Sequence, residues 1–175
     1  MRNSFYHCYI IVTDNQPFNV KRVTYIKTYT ARWADMDPNG HMRHSAYTDY
    51  AAQTRLEFLA DQGFAMRQFA ELAIGPILFR EDTRFLKEIH LNETIRVSAE
   101  VGGLSADGSR WRIIHTLYKA DGREAAIVAV DGAWLDLRLR KLTLPPPDLA
   151  ATFSHMTRHA SYADIVREGK AAEQA

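Results

Sequence analysis

The sequence predicts an α+β domain in which one long helix packs against a β-sheet. Three observations predict it: one amphipathic helical segment, several segments with the residue types of strands, and Asp-Gly turns between the last strands. A lone helix of this length needs a sheet surface on which to bury its apolar side, so we expect a layered arrangement.

The first predicted strand runs from Val23 to Trp33. β-branched and aromatic residues dominate this segment and alternate along it, as they do in strands. Residues 34–41 then interrupt the pattern, because they contain a proline, which fixes φ, and an Asn-Gly pair, which tolerates positive φ. We expect a tight polar turn at this point.

One long helix is predicted over Ala46–Asp61, a segment without Pro or Gly. Ser45 is the predicted N-cap, and Gly63 supplies the stop signal. The residues that recur at helical spacing and are expected to face the sheet are Tyr47, Tyr50, Ala51, Thr54, Phe58 and Leu59.

Four further strands are predicted at residues 77–88, 94–104, 110–119 and 124–137. Each is rich in Ile, Val, Phe, Trp or Leu. The pairs Asp107-Gly108 and Asp121-Gly122 lie where hairpin turns require positive φ. The last three strands are therefore predicted to form an antiparallel meander.

The length of 175 residues fits one domain with terminal extensions. We predict an N-terminal arm at 1–22, a core domain at 23–144 and a C-terminal tail at 145–175. The apolar run at 5–12 is too short to span a bilayer and lacks a signal-peptide cleavage pattern. Three prolines at 145–147 end the sheet region, and residues 161–173 are expected to form a short polar helix or a partly ordered tail.

Charge and cysteine content disfavour several functional classes. The net charge of +1 gives no overall field for nucleic acid or an anionic membrane, so neither is an expected partner. The single cysteine, Cys8, cannot form an internal disulfide or a thiolate metal site, and a cytoplasmic location is expected. The usual dinucleotide, P-loop, serine-hydrolase and zincin motifs do not occur, and no cofactor is predicted.

Two carboxylates and an imidazole fall within the polar turn: Asp35, Asp37 and His41. The predicted helix follows, and its first N–H groups lack intrahelical partners and carry a positive partial charge. Such amides can polarise a carbonyl while a carboxylate attacks it or activates water. Asp and Asn are also ordinary turn residues, and this turn offers too few oxygen ligands for a hard cation, so no metal is predicted.

The segment 32–47, RWADMDPNGHMRHSAY, and the helical residues 55–59 resemble the turn and helix signature of the 4-hydroxybenzoyl-CoA thioesterase-like family. Residues 85–97 resemble the family's second characteristic stretch. The resemblance implies a hot dog fold, with a five-stranded antiparallel sheet wrapped around one long helix. It also implies acyl-CoA or acyl-carrier-protein substrates, with CoA as part of the substrate, and a homodimer or homotetramer with active sites at subunit interfaces.

The resemblance places the family's catalytic carboxylate on Asp37, as nucleophile or as general base for water. His41 is a second catalytic candidate that orients the substrate or relays a proton, and it can equally satisfy a loop carbonyl. Tyr47 also has the spacing of a core aromatic, and solvated ion pairs explain Arg84 as well as phosphate binding does. The candidate substrate-binding residues are Gly40, His44, Tyr47, Arg84 and Lys87.

The helix departs from many family members at Ala52 and Gln53, where a glutamate often precedes the helix arginine. This departure keeps two other hypotheses open beside thioester hydrolysis. One is a non-catalytic acyl-thioester binding protein. The other is a hydratase or dehydratase, because one fold supports several reactions.

Overall fold

The computed structural model describes residues 24–166, and these form one sheet and three α-helices. The predicted arm at 1–22, with Cys8, and the end of the tail at 167–175 lie outside the described residues. In chain order the elements are β1 Tyr25–Thr30, α1 His44–Asp61, α2 Met66–Leu72, β2 Ile74–Phe85, β3 Thr94–Leu104, β4 Arg110–Lys119, β5 Glu124–Asp136, β6 Lys141–Thr143 and α3 Pro147–Ser154.

The strands pair antiparallel in the order β1-β3-β4-β5-β2. The predicted meander is confirmed, with Gly108 at φ +67° and Gly122 at φ +87° in its two turns. A short sixth strand, β6, pairs with the end of β5. It was not predicted, because three residues are too few to display alternation.

Helix α1 lies across the sheet and buries the face that its spacing predicts. All six residues of that face are buried. Gly63, at φ +89°, follows the helix as the predicted stop. The predicted cap is wrong, because α1 begins at His44 and its N-cap is Arg43, so Ser45 lies inside the first turn. The seven-residue helix α2 was missed, since it is too short to give a clear period.

A buried polar contact connects α1 to the sheet. The guanidinium of Arg55, which is 9% exposed, lies 3.0 Å from Nε2 of His115 on β4. Nδ1 of His115 lies 2.9 Å from the carbonyl oxygen of Ser98 on β3. Burial, together with the charge of Arg55, lowers the pKa of His115 to about 3, although the bond to Ser98 opposes the shift. His115 is therefore neutral, and donates through Nδ1 and accepts through Nε2.

The chain after the sheet packs back onto it rather than leaving it. Helix α3 begins with Pro147 and buries Leu149 and Phe153 in the core. Residues 161–166, where a short polar helix was one expectation, form no helix; the helix of this segment lies at 147–154 instead. Proline at the first helical position is a start signal as well as a break, which explains the misplacement.

The sheet contains a close approach at Gly132 of β5. This residue lies directly opposite Trp111 of β4. A Cβ atom at position 132 would lie 2.3 Å from the Trp111 ring and 2.6 Å from the carbonyl oxygen of Ile77. Only glycine leaves room for the buried indole at this point.

Candidate active site

The polar turn between β1 and α1 forms a small closed loop. Met36 and Met42 form an antiparallel bridge across it. Inside the bridge, the N–H of Asp37 donates to the carbonyl of His41 at 2.8 Å, and the N–H of Gly40 donates to the carbonyl of Asp37 at 3.0 Å. Gly40 has φ +81°, which L side chains adopt at a cost. The role of Gly40 in this structure is therefore to form the turn.

Asp35 lies on the inner side of the turn and is 2% exposed. Its carboxylate accepts hydrogen bonds from the Arg32 backbone N–H at 2.8 Å and from the Arg32 guanidinium at 3.2 and 3.1 Å. The Tyr50 hydroxyl donates a further bond of 2.6 Å. Burial alone would raise the pKa of Asp35, but these bonds outweigh it and lower the pKa. Asp35 fixes the turn to β1 and α1.

Asp37 lies on the outer side of the same turn. Its Oδ1 accepts the backbone N–H groups of Asn39 at 2.8 Å and His41 at 3.3 Å. Both of these backbone bonds use Oδ1, so Oδ2 lies outside them. Desolvation acts to raise the pKa of Asp37, but the bonds from His41 and Asn39 outweigh it and lower the pKa. The carboxylate is therefore ionised at neutral pH and held in a fixed orientation.

The turn leads directly into the N-terminus of α1. Among the described residues, the amides of His44 and Ser45 have no backbone or side-chain acceptor. Arg43 extends across the turn, where its guanidinium donates to the Ala34 carbonyl at 3.3 Å and to Asp49 at 3.0 Å. The helix start thus offers N–H donors beside a fixed carboxylate.

A pocket of about 400 Å³ opens beside this turn. Five of the residues predicted for the site line it together: Asp37, His41, His44, Tyr47 and Lys87. Gly40 and Arg84 are not among its lining residues. The sequence-predicted catalytic pair therefore meets most of the predicted binding residues in one cavity.

Tyr47 belongs to both the core and the pocket. It is 4% exposed, and its ring packs edge-on against Phe85 of β2 at a centroid distance of 5.1 Å. Its hydroxyl donates to the carbonyl of Lys87 at 3.4 Å. Burial raises the pKa of Tyr47, and the negative charge of Asp37 acts in the same direction. Tyr47 therefore fixes the wall formed by the residues after β2.

Arg84 lies on the other face of β2 from the pocket. Phe85 contacts α1 through Tyr47, and neighbouring residues of a strand point to opposite faces. Arg84 therefore faces away from the helix, whereas Lys87 lies beyond the end of the strand and lines the pocket. The structure separates two basic residues that the sequence grouped together.

Two ionisable residues beside the pocket were not predicted, Glu88 and His90. Glu88 lines the pocket, and its carboxylate lies 3.3 Å from Nε2 of His41. His41 and His90 form an isolated antiparallel bridge. Both residues fall in the stretch 85–97 that supported the family resemblance, but nothing in the sequence indicated that this stretch pairs with the turn.

The fold agrees with what is found among known proteins. The family model described as "Thioesterase-like superfamily" matches residues 31–153 of the chain. The chain belongs to this superfamily. Membership confirms the predicted family, the predicted fold and thioester hydrolysis as the general activity class. Within residues 24–166, no helix of this thioesterase-like chain has the length and apolar character needed to cross a bilayer.

The individual relatives have low sequence identity to this chain. A 1,4-dihydroxy-2-naphthoyl-CoA hydrolase of Thermosynechococcus vestitus is 28% identical over 134 residues, which are 75% of this chain and 90% of that protein. A Staphylococcus aureus protein solved in complex with CoA superposes with a TM-score of 0.72 at 19% identity, covering 88% of this chain and 95% of that one. A 1,4-dihydroxy-2-naphthoyl-CoA thioesterase of Synechocystis has a TM-score of 0.68 at 14% identity, covering 75% and 96%. The thioesterase-like chain shares its fold with both structures.

Proposed function

We propose that this chain hydrolyses acyl-CoA thioesters with Asp37 as the catalytic carboxylate. The observation that carries the proposal is the position of Asp37. Its carboxylate is ionised, held by two backbone N–H groups and placed in the wall of a pocket at the start of α1. An oriented carboxylate next to unpaired helix amides is what attack on a carbonyl requires.

In the proposed reaction, the thioester carbonyl oxygen accepts hydrogen bonds from the first amides of α1. A donor of this kind lowers the barrier by about 3–4 kcal/mol when it is aimed at the developing negative charge. Asp37 then acts through Oδ2, either by attacking the carbonyl carbon or by taking a proton from an attacking water. In the first route the thiol of CoA leaves as an acyl-Asp37 anhydride forms, and water then hydrolyses that anhydride; in the second route water adds directly and the thiol leaves. Both routes end with the thiol of CoA and the free acid, and no cofactor takes part.

The other pocket residues have supporting roles in this proposal. His41 orients the substrate or relays a proton to the leaving thiol. Lys87 reaches the phosphates of CoA, because it is exposed at the pocket wall and pairs with no described acidic residue. Tyr47 and Phe85 offer aromatic surfaces to the acyl group, so aromatic acyl-CoAs are the first candidates. The relative named as a hydrolase of 1,4-dihydroxy-2-naphthoyl-CoA supports this order of testing.

We also propose that the chain acts as a homodimer or homotetramer. Strand β2 forms one edge of the sheet in residues 24–166 and exposes several large apolar side chains. These include Phe79, 52% exposed, and Phe85, 53% exposed. An open strand edge with apolar side chains is unfavourable in water and favours pairing with a second chain. Light scattering coupled to gel filtration tests this proposal, which a monomer across a range of concentrations would contradict.

The decisive experiment measures thiol release from aromatic and aliphatic acyl-CoAs, with acyl-carrier-protein thioesters in parallel. The variant Asp37→Asn keeps the size and the turn but removes the charge. We expect it to lower kcat by about 100-fold or more, the usual contribution of a positioned general base, with an unchanged unfolding midpoint. Asp49→Asn is the matched control, because Asp49 is an exposed carboxylate near the start of α1 outside the pocket lining.

Three outcomes would replace the proposal. Full activity in folded Asp37→Asn would move the chemistry to another residue. Tight acyl-CoA binding without thiol release in the unmodified protein would favour the binding-protein hypothesis, and hydration of an enoyl thioester without thiol release would favour a hydratase.

A further inference from the structure

Three side chains with metal-binding atoms gather at the flank of the pocket: His41, Glu88 and His90. One ligand atom from each can be chosen so that all three lie within 4.8 Å of one another. His41 and Glu88 also line the pocket, whereas His90 is not among its lining residues. The proposed catalytic role uses neither Glu88 nor His90.

The backbone holds these residues together independently of their side chains. His41 and His90 face each other across an antiparallel bridge, and the N–H of Met42 donates to the carbonyl of Ile89 at 2.8 Å. Glu88 and His90 are two residues apart, and a ligand atom of each lies within 4.8 Å of a ring nitrogen of His41. Only side-chain rotations are therefore needed to bring the three groups to one point.

One of the three distances already matches a small tetrahedral ion. Zinc bonds of about 2.0–2.2 Å to nitrogen and oxygen place neighbouring ligand atoms about 3.4 Å apart in a tetrahedron. The distance between Nε2 of His41 and Oε2 of Glu88 is 3.3 Å. The two imidazole rings are 5.1 Å apart between centroids and are tilted by 59°, so they do not stack face to face.

We propose that His41, Glu88 and His90 bind one Zn²⁺ ion per chain, with a fourth position open beside the pocket. Two imidazoles and one carboxylate suit zinc, whereas Mg²⁺ and Ca²⁺ require mainly oxygen ligands. Three protein ligands and one exchangeable position form a complete zinc coordination shell. No metal was predicted from the sequence because only the residues of the turn were considered as ligands. Two of the three proposed ligands, Glu88 and His90, come from the segment after β2.

Zinc at this position inhibits the reaction, and this part of the inference depends on the proposed function. The ion occupies the imidazole of His41, which removes that residue from the substrate. The exchangeable fourth position also accepts the thiolate of released CoA, because zinc binds sulfur strongly. The site thus links thioester hydrolysis to the concentration of free zinc.

The binding test uses metal-free full-length protein and calorimetric titration with ZnCl₂ near pH 7.5 in excess MgCl₂. We expect one zinc site in the unmodified chain and at least tenfold weaker binding in His90→Ala and in Glu88→Gln. His155→Ala is the matched control, because His155 is exposed and far along the chain from this cluster. Equal zinc affinity in His90→Ala, or no binding by the unmodified protein, would overturn the site.

A second form of the protein removes a competing source of ligands. The sequence contains His7 and Cys8, which can also bind zinc. The same titration with the double variant His7→Ala/Cys8→Ser should retain the site and its dependence on His90. If zinc binding disappears in the double variant, the ion binds there and the proposed site is wrong.

The activity test follows the loss of thioester absorbance, because a free thiol would itself bind zinc. Saturating zinc should lower the rate of the unmodified protein at least tenfold. His90→Ala should retain its basal rate and lose most of the inhibition. Binding without inhibition would overturn the regulatory role alone. If the protein hydrolyses no thioester, the proposed function fails, and the titrations still decide the zinc site.

Discussion

Two aspartates separated by one residue behave in opposite ways in this turn. Asp35 is buried and uses its carboxylate to bind Arg32 and Tyr50. Asp37 faces the pocket and is held only by amides of its own turn and the side chain of Asn39. The residue type is the same. Because Met36 between them has an extended backbone, the Asp35 side chain points inward and the Asp37 side chain points outward.

The difference distinguishes a carboxylate that stabilises the fold, Asp35, from a carboxylate that is proposed to take part in the reaction, Asp37. Both aspartates have a lowered pKa, so the direction of the pKa shift alone does not distinguish them. What distinguishes them is the number of acceptor positions that remain. Asp35 accepts four hydrogen bonds and has little capacity left for a substrate, whereas Oδ2 of Asp37 lies outside the backbone bonds of the turn.

The first prediction is that replacing Asp35 affects mainly stability, whereas replacing Asp37 affects mainly activity. Asp35→Ala should lower the free energy of unfolding by about 2–3 kcal/mol, the cost of leaving donors to a buried carboxylate unpaired. Asp37→Ala, which loses only two backbone hydrogen bonds at an accessible carboxylate, should lower the midpoint of urea unfolding less than Asp35→Ala does, while abolishing most thiol release. Urea denaturation followed by circular dichroism measures the stability of both variants. An equal loss of stability in both would remove the distinction between them.

The second prediction concerns a buried histidine of the core, His115. His115 is fully buried, and its pKa is lowered from 6.5 to about 3. An unfolded chain binds a proton at this residue below pH 6.5, and the folded chain does not. The free energy of unfolding should therefore fall as pH decreases below 6.5, by about 1.4 kcal/mol per pH unit.

The measurement compares urea unfolding between pH 6.5 and pH 4.5 in the unmodified protein and in His115→Gln. The variant should lose this slope, whereas His155→Gln should keep it. If His115→Gln does not fold, the imidazole signals in NMR spectra provide the alternative readout. A His115 signal that shifts with pH in this window would contradict the prediction.

The third prediction has the smallest expected effect and concerns the two basic residues Arg84 and Lys87. Lys87→Ala should raise KM for acyl-CoA about two- to fivefold, as expected for loss of one exposed charge contact. Arg84→Ala should leave KM unchanged, because Arg84 faces away from the pocket. Both values come from initial rates at varied substrate concentration. The opposite pattern would indicate that a second subunit brings Arg84 to the substrate.

Much of the fold could be predicted because its signals are local. β3 and β4 have the predicted bounds, and both Asp-Gly turns form the predicted hairpins. The buried face of α1 followed from its period alone. The elements that were missed, α2, β6 and α3, have eight residues or fewer and are held by packing against distant parts of the chain.

The site could be predicted only as far as it lies within one segment. Asp37, His41 and Tyr47 follow one another around the turn and α1, and a family resemblance carried their roles. Glu88 and His90 reach the site through a bridge between segments about fifty residues apart in sequence. No local pattern encodes such pairing, and for the same reason the sequence did not separate Arg84 from Lys87.

The close approach of Trp111 and Gly132 also limits how this sequence can change over time. Replacing Trp111 with a smaller residue leaves a cavity but no clash. Replacing Gly132 with any other residue meets the Trp111 ring and, even without that ring, the carbonyl oxygen of Ile77. Substitution is therefore directional: position 111 can shrink independently, whereas position 132 must remain glycine unless Trp111 is replaced by a smaller residue and the backbone of β2 also moves.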